Sequence, residues 1–187
     1  MRDLFRGSLV RLCAESPETL AQLNAVWDRD SVIHRLADDA PAVLRSVKKN
    51  KEQLEERIGK DVEDYYFFSI RTLAENNMIG VTMIRVDWVN ADGIIGIAIG
   101  DQANLGRGFG TDAMRLLVQF GFLELNLRRV TLGVNSYNPR AIRSYEKVGF
   151  IKEGVFRGDV KRENQRSDSL MMGLLYEEWL ALQGRVS

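Results

Sequence analysis

Gly93-Ile94-Ile95-Gly96-Ile97-Ala98-Ile99-Gly100 is an apolar run with glycine at both ends. A short polar loop leads to the glycine turn Leu105-Gly106-Arg107-Gly108-Phe109-Gly110. Thr111 to Phe122 is then amphipathic with helical periodicity, and Val130 to Val134 is a second apolar strand. Strand, glycine turn, helix and strand in that order make a parallel crossover unit. The glycines fall where the helix begins. A helix start offers about four backbone N–H groups without intrahelical partners and roughly half a unit of positive charge, which together seat a phosphate. Ile95, Ile97 and Ile99 point to one face of the first strand, and Gly96, Ala98 and Gly100 to the other. A face of small side chains leaves room for a ligand against the backbone, and equally for a closely packed helix.

Working outward, Ser8 to Cys13 reads as a short strand. Ser16-Pro17-Glu18 has the signals of a helix start, and Leu20, Leu23 and Trp27 form that helix's apolar stripe before Asp28 to Ser31 ends it. Pro41 is expected to open a second helix to about Ile58, with Val43, Val47, Leu54 and Ile58 on one face and Gly59 as its stop. Tyr65 to Ala74 and Met78 to Val89 read as a β-hairpin. After the crossover unit, Asn138 is an N-cap, Pro139 a first helical residue and Gly149 a left-handed stop, with Ala141, Ile142 and Tyr145 sharing a face. Phe150 to Phe156 and Asp168 to Leu175 read as strands joined through a long polar tip, Arg157 to Ser167, and Tyr176 to Gln183 as a final helix. These elements predict an α+β fold in α/β/α layers. Its sheet is mixed, mostly antiparallel and of about seven strands, with helices on both faces.

The chain has 187 residues, which suits one domain over 1–187 with a core of about 8–180. Lys plus Arg and Asp plus Glu both number 26, a balance that argues against a nucleic-acid binder. One cysteine (Cys13) and one histidine (His34) exclude an intramolecular disulfide and a Cys/His zinc site, so no metal is expected. No run approaches the ~18 apolar residues of a membrane span, and Met1 to Arg6 is no signal peptide. A cytoplasmic protein without a membrane partner is expected.

Three glycine-loop chemistries compete. A Walker loop ends in Gly-Lys-Ser/Thr, and here Thr111 follows Gly110 without the lysine. A dinucleotide fingerprint needs a different spacing and an earlier place in the chain. Taken alone, the glycines also describe a tight turn with no ligand. The combination is more specific. Gly108-x-Gly110 heads a helix between two strands, and Asn138-x-x-Ala141-Ile142-x-x-Tyr145-x-x-x-Gly149-Phe150 follows about 28 residues later. The two motifs together resemble the GNAT family of N-acetyltransferases over roughly residues 8–180. The stretches Glu153 to Arg157 and Asp168 to Trp179 are similar to the branch that acetylates ribosomal-protein N-termini and spermidine.

That resemblance implies acetyl-CoA as the acetyl donor, lying in a V-shaped split between the two strands of the crossover unit. Its pantetheine amides would pair with the backbone of Ile97, Ala98 and Ile99. Its pyrophosphate would rest on N–H groups of Leu105, Gly106, Arg107, Gly108, Phe109, Gly110 and Thr111. Leu105 stands where relatives usually have Gln or Arg, and Arg107 can supply charge instead. Asn138 matches the position that bonds the pantetheine arm. Tyr145 matches the general acid that protonates the departing sulfur.

The acceptor implied is an amine, on a small molecule or polyamine or at a protein N-terminus. The first helices and the late hairpin would frame its pocket, with Trp27, Asp28, Trp88 and Asp168 as contacts and Asp30, Asp38 and Asp39 as further acids. Relatives often pair, so a homodimer is also implied. An alkylammonium has a pKa near 10.4, so only about one in 10³ molecules is a neutral nucleophile at pH 7. Relatives often place a Glu as base where this chain has Ile94, so the proton's first acceptor stays open. A water chain, a carboxylate elsewhere or His34 are alternatives, and an α-amine, with a pKa near 8, would need less help. The alternative function is an acyl-CoA-binding regulatory domain without catalysis.

Overall fold

The computed structural model describes residues 3–58 and 64–184; the expected stop at Gly59 lies outside them. The elements run β1 (Val10–Cys13), α1 (Pro17–Trp27), α2 (Ser31–Ala37), α3 (Val47–Ile58), β2 (Tyr65–Thr72), β3 (Met78–Asp87), β4 (Asp92–Ile99), α4 (Phe109–Leu123), β5 (Arg129–Asn135), α5 (Pro139–Val148), β6 (Ile151–Arg162), β7 (Gln165–Leu175) and α6 (Tyr176–Gln183). The strands form one seven-stranded sheet in the order β1-β2-β3-β4-β5-β7-β6. Every pairing is antiparallel except β4 with β5. The expected mixed sheet is what forms.

Apolar alternation sorts the helices onto two faces. Ile84 and Val86 of β3 and Ile95 of β4 pack with Met114, Leu117 and Val118 of α4, and Tyr145, Val148 and Trp179 join that core from α5 and α6. Phe67, Met78 and Val81 point the other way, against Leu20 and Ala21 of α1 and Leu54 of α3. Trp27 lies over Gly100, where an added Cβ would meet its ring at 1.9 Å. Of the two readings of the small-residue face, close helix packing therefore holds at Gly100.

The decisive feature is a fork. β4 pairs with β5 only at Asp92, Gly93 and Ile94, opposite Arg129, Val130 and Thr131. Beyond Ile94 each strand keeps only its outer partner: β4 stays on β3 as far as Ile99, and β5 stays on β7 as far as Asn135. One row of main-chain groups on β4 thus faces a gap, and such groups require a hydrogen-bonding partner.

Three expectations are corrected. Asp30 does not merely end α1: its carboxylate accepts from the N–H groups of Val32 and Ile33 and starts α2, which the pattern missed. Pro41 does not open α3, which begins at Val47 behind Ser46. The Ala40 carbonyl, which would accept the first bond of a helix starting at Pro41, accepts instead from Arg162 Nη2 at 3.2 Å. The hairpin tip is not long: β6 and β7 extend to Arg162 and Gln165, and only Glu163 and Asn164 turn, both at positive φ (49° and 62°). That is the two-residue turn whose twist matches paired strands.

Candidate active site

The fork opens into a cavity of about 720 Å³. Its walls are the free edge of β4, the start of α4, the ends of β5 and α2, one face of α5, and the β6–β7 hairpin. Ile97, Ala98, Ile99, Leu105, Gly106, Gly108, Gly110, Thr111, Asn138 and Tyr145 all line it. At the phosphate end, Gly106 and Gly108 have φ of 74° and 87°, in the left-handed region that side chains resist. A Cβ on Gly106 would meet no protein atom within 4 Å. Gly108 caps α4 without a side chain, so no N-cap side chain accepts from the first N–H groups of the helix. Arg107 and Phe109 are not among the lining residues: Phe109 is buried in the core, and the Arg107 guanidinium lies 4.8 Å above its ring.

α5 is placed by its own sequence. Asn138 Oδ1 accepts from Ala141 N at 3.2 Å, Pro139 follows, and Gly149 ends the helix at φ 117°. The Asn138 Nδ2 donates to the Leu36 carbonyl at 3.1 Å, tying α5 to α2. Tyr145 is buried against Phe150, with ring centroids 6.2 Å apart. Burial pushes its pKa up to about 12. The phenol therefore keeps its proton throughout the neutral range, as an acid must before it acts. Thr111 and Ser144 share a hydrogen bond of 2.7 Å and lock the phosphate end to α5.

The proposed acceptor contacts are not brought to the cleft. Trp27 covers Gly100. Asp28 accepts from Asn50 Nδ2 and pairs with Arg45 beside a separate cavity of about 140 Å³, which His34 also lines. Trp88 sits half-exposed in the turn after β3. Asp168 accepts from Gly158 N at 2.8 Å and secures the register shift between Phe156 and Val160. That shift brings Phe156 and Asp159 to the cleft wall instead. Asp38 and Asp39 do line the cleft; Asp30 caps α2. Ile94 is 57% exposed at the vertex of the fork.

Sequence reading missed Arg140, Arg143 and Lys147, whose spacing of three and four puts them along the cleft face of α5. It also missed Asn135 and Ser169, whose places depend on strand register. The lining carries both signs: Arg140, Arg143 and Lys147 from α5, and Asp38, Asp39 and Asp159 from the segment after α2 and from β6.

Glycines line one part of the cleft, the unpaired edge of β4 another, and the buried phenol of Tyr145 stands at its wall. Comparisons with known proteins identify the family. A family model described as an acetyltransferase (GNAT) domain matches residues 11–151. The probable N-acetyltransferase YjcK of Bacillus subtilis is 34% identical over 141 residues, 74% of this chain and 76% of that protein. The spermidine N(1)-acetyltransferase of Vibrio cholerae is 28% identical over 108 residues, 57% of this chain and 62% of that one. A crystal structure of the spermidine N-acetyltransferase from Vibrio cholerae, in complex with CoA and spermine, superposes with a TM-score of 0.77 at 20% identity, covering 91% of this chain and 96% of that one. The chain belongs to the GNAT acetyltransferase family and is an acetyl-CoA-dependent N-acetyltransferase.

Proposed function

We propose that the acceptor is a primary amine, on a small cationic molecule or at a protein N-terminus, and that Tyr145 is the general acid. The fork between β4 and β5 carries this reading, because it puts unpaired backbone, a helix start and a buried phenol around one cavity. The backbone of Ile97, Ala98 and Ile99 would hold the pantetheine arm as an added strand. The N–H groups from Leu105 to Thr111 would hold the pyrophosphate. Arg140, Arg143 and Lys147 supply cations beside those phosphates. Asn138 serves as helix cap and tether to α2, and one of its two amide protons remains for the pantetheine arm.

Acetyl-CoA supplies an acetyl thioester; the amine nitrogen forms a bond to the acetyl carbon as the carbon–sulfur bond breaks. Tyr145 protonates the departing sulfur. The acidic wall of Asp38, Asp39 and Asp159 favours a cationic acceptor, and relatives named for spermidine acetylation fit that class.

The test is release of free thiol from acetyl-CoA against a panel of polyamines, small amines and N-terminal peptides. Tyr145→Phe should lower kcat by about 10² or more, the usual worth of a general acid, with CoA affinity held within about twofold. Unchanged turnover in that variant would remove Tyr145 from the mechanism. CoA binding with no thiol release on any acceptor would instead support the acyl-CoA-binding regulatory reading.

A further inference from the structure

We infer that Asp39 is the residue that receives the acceptor's ammonium group and takes its first proton, and that Arg162 is its positioning residue. This rests on the reading that an amine is acetylated in this cleft. Asp39 lines the same cavity as Tyr145. Its Oδ1 accepts from Asn135 Nδ2 at 2.6 Å. Asn135 is buried and is itself fixed: its Oδ1 accepts from Ser169 Oγ at 3.3 Å, and its Nδ2 also donates to Tyr137 Oη at 2.9 Å. The Tyr137 hydroxyl in turn donates to the Arg35 carbonyl at 2.9 Å. The main chain is held as firmly. Arg162 Nη2 donates to the carbonyls of Asp38, Asp39 and Ala40 at 3.2, 2.7 and 3.2 Å.

Arg140, Arg143 and Lys147 of α5 line the same cavity as Asp39, and the Arg162 guanidinium lies against its main chain. Arg162 meets those three carbonyls through Nη2 alone, with its Nε buried and without a hydrogen-bond partner, and Arg35 pairs with Glu163 at 2.8 Å. Asp38 turns its Oδ1 back to Ala40 N at 2.7 Å, and Asp159 adds a like charge from β6. No cationic side chain pairs with Asp39 among the described residues. Asp39 is solvent-exposed, so water reaches its uncommitted oxygen until an ammonium donor takes that place. At the vertex, Ile94 cannot accept a proton, and Asp92, two residues before it, is paired with Arg129 and is not among the residues lining the cavity.

The balance is simple. An N–H bond of the ammonium breaks and its proton goes to Asp39, leaving the electron pair on nitrogen. That pair forms the bond to the acetyl carbon, and the carbon–sulfur pair leaves on sulfur, which takes the Tyr145 proton. The nitrogen's second proton restores the phenol, and Asp39 releases its own to solvent. Free thiol, amide and one proton result.

The experiment measures amine binding to CoA-saturated enzyme by calorimetry, alongside kcat, KM and CoA affinity. Asp39→Asn keeps an oxygen for Asn135 and so preserves the fold. It should weaken amine binding and raise KM for the amine at least about tenfold, with CoA affinity within twofold. Its kcat/KM should also climb only at higher pH, toward the free amine's own titration. Arg162→Ala should weaken amine binding without touching CoA, and Arg162→Lys should recover part of it. Amine affinity within twofold of wild type in Asp39→Asn overturns the assignment, as does an equal loss of CoA affinity. If the wild-type enzyme acetylates no amine, the functional reading and this one fall together. If it does and Asp39→Asn matches it, only this one falls.

Discussion

Asp112 is the residue on which the site and the first strand both depend. It sits in the first turn of α4, where a carboxylate also suits the helix dipole. One oxygen accepts from Ser8 N and Ser8 Oγ, and the other from Leu9 N and Val10 N. The chain entering β1 is thereby pinned to the helix that follows the glycine turn. Replacing a buried, charged acceptor strands several donors at once. Asp112→Ala is expected to cost about 3 kcal/mol, read as a fall in the urea midpoint. Asp112→Asn should recover little, because its NH₂ must face one of the two donor pairs. An asparagine variant as stable as wild type would contradict this. Residue chemistry was readable in the sequence where the partner is local. Asn138, Pro139 and Gly149 mark α5 by themselves, and Tyr145 followed from the motif they frame. Asp39 and Asn135 are 96 positions apart, and no local pattern reports such a pair.

Among the elements, the glycine turn separates two kinds of constraint. Gly108 is required by the fold: at φ 87° an added Cβ is strained, and it would lie 3.2 Å from Leu9 Cδ1. Gly110 is not. A Cβ there would meet Ile97 and Ile99 at 3.9 Å, an ordinary contact, in a helix that favours alanine over glycine by up to about 1 kcal/mol. On the proposed reading, its smallness serves the ligand. Gly108→Ala should therefore lower stability by about 1–2 kcal/mol. Gly110→Ala should melt at or above the wild-type temperature, yet raise KM for acetyl-CoA about tenfold, a difference of roughly 1.4 kcal/mol. Thermal denaturation and a CoA titration on the two variants decide it; unchanged CoA affinity in Gly110→Ala would take the phosphates away from this turn. The same contrast explains which elements were legible. The β4–α4–β5 unit announced itself because its signals are contiguous. α2 was hidden because an Asp can stop one helix or cap the next, and Asp30 does the second. β6 is solvated on both faces for much of its length, so no alternation marks it. Before α3, the Ala40 carbonyl is held by Arg162, more than a hundred residues away, a contact that no local pattern reports.

For the whole molecule, the question is what keeps the fork closed at its base while it stays open above. Asp92 and Arg129 are opposite each other in the short parallel ladder, with Arg129 Nε 3.3 Å from Asp92 Oδ2. Arg129 also grips Glu153 of β6, Nη1 to Oε1 at 2.7 Å, so one guanidinium ties β4, β5 and β6. A second ion pair, Arg71 with Glu15, ties β2 to the segment after β1. These pairs give the acid stability a definite sign. The Arg129 hydrogen bonds hold the Glu153 carboxyl below its ordinary 4.5, and those of Arg71 do the same for Glu15. Each contributes stability that is present above about pH 4.5 and is lost as pH falls through its folded-state pKa. Asp92 runs the other way: burial raises it above 3.8 against the pull of Arg129, so protonation relieves a cost. Two losses against one relief predict that unfolding free energy declines below about pH 4.5. Both pairs are partly screened by solvent, so the slope with pH is the informative quantity rather than its size. Glu153→Gln removes one proton uptake on unfolding and should flatten that slope. Asp92→Asn removes the opposing relief and should steepen it. Urea midpoints taken from pH 3 to 7 on the three proteins test both signs. Parallel slopes in all three would mean that this cluster does not govern how the base of the fork holds.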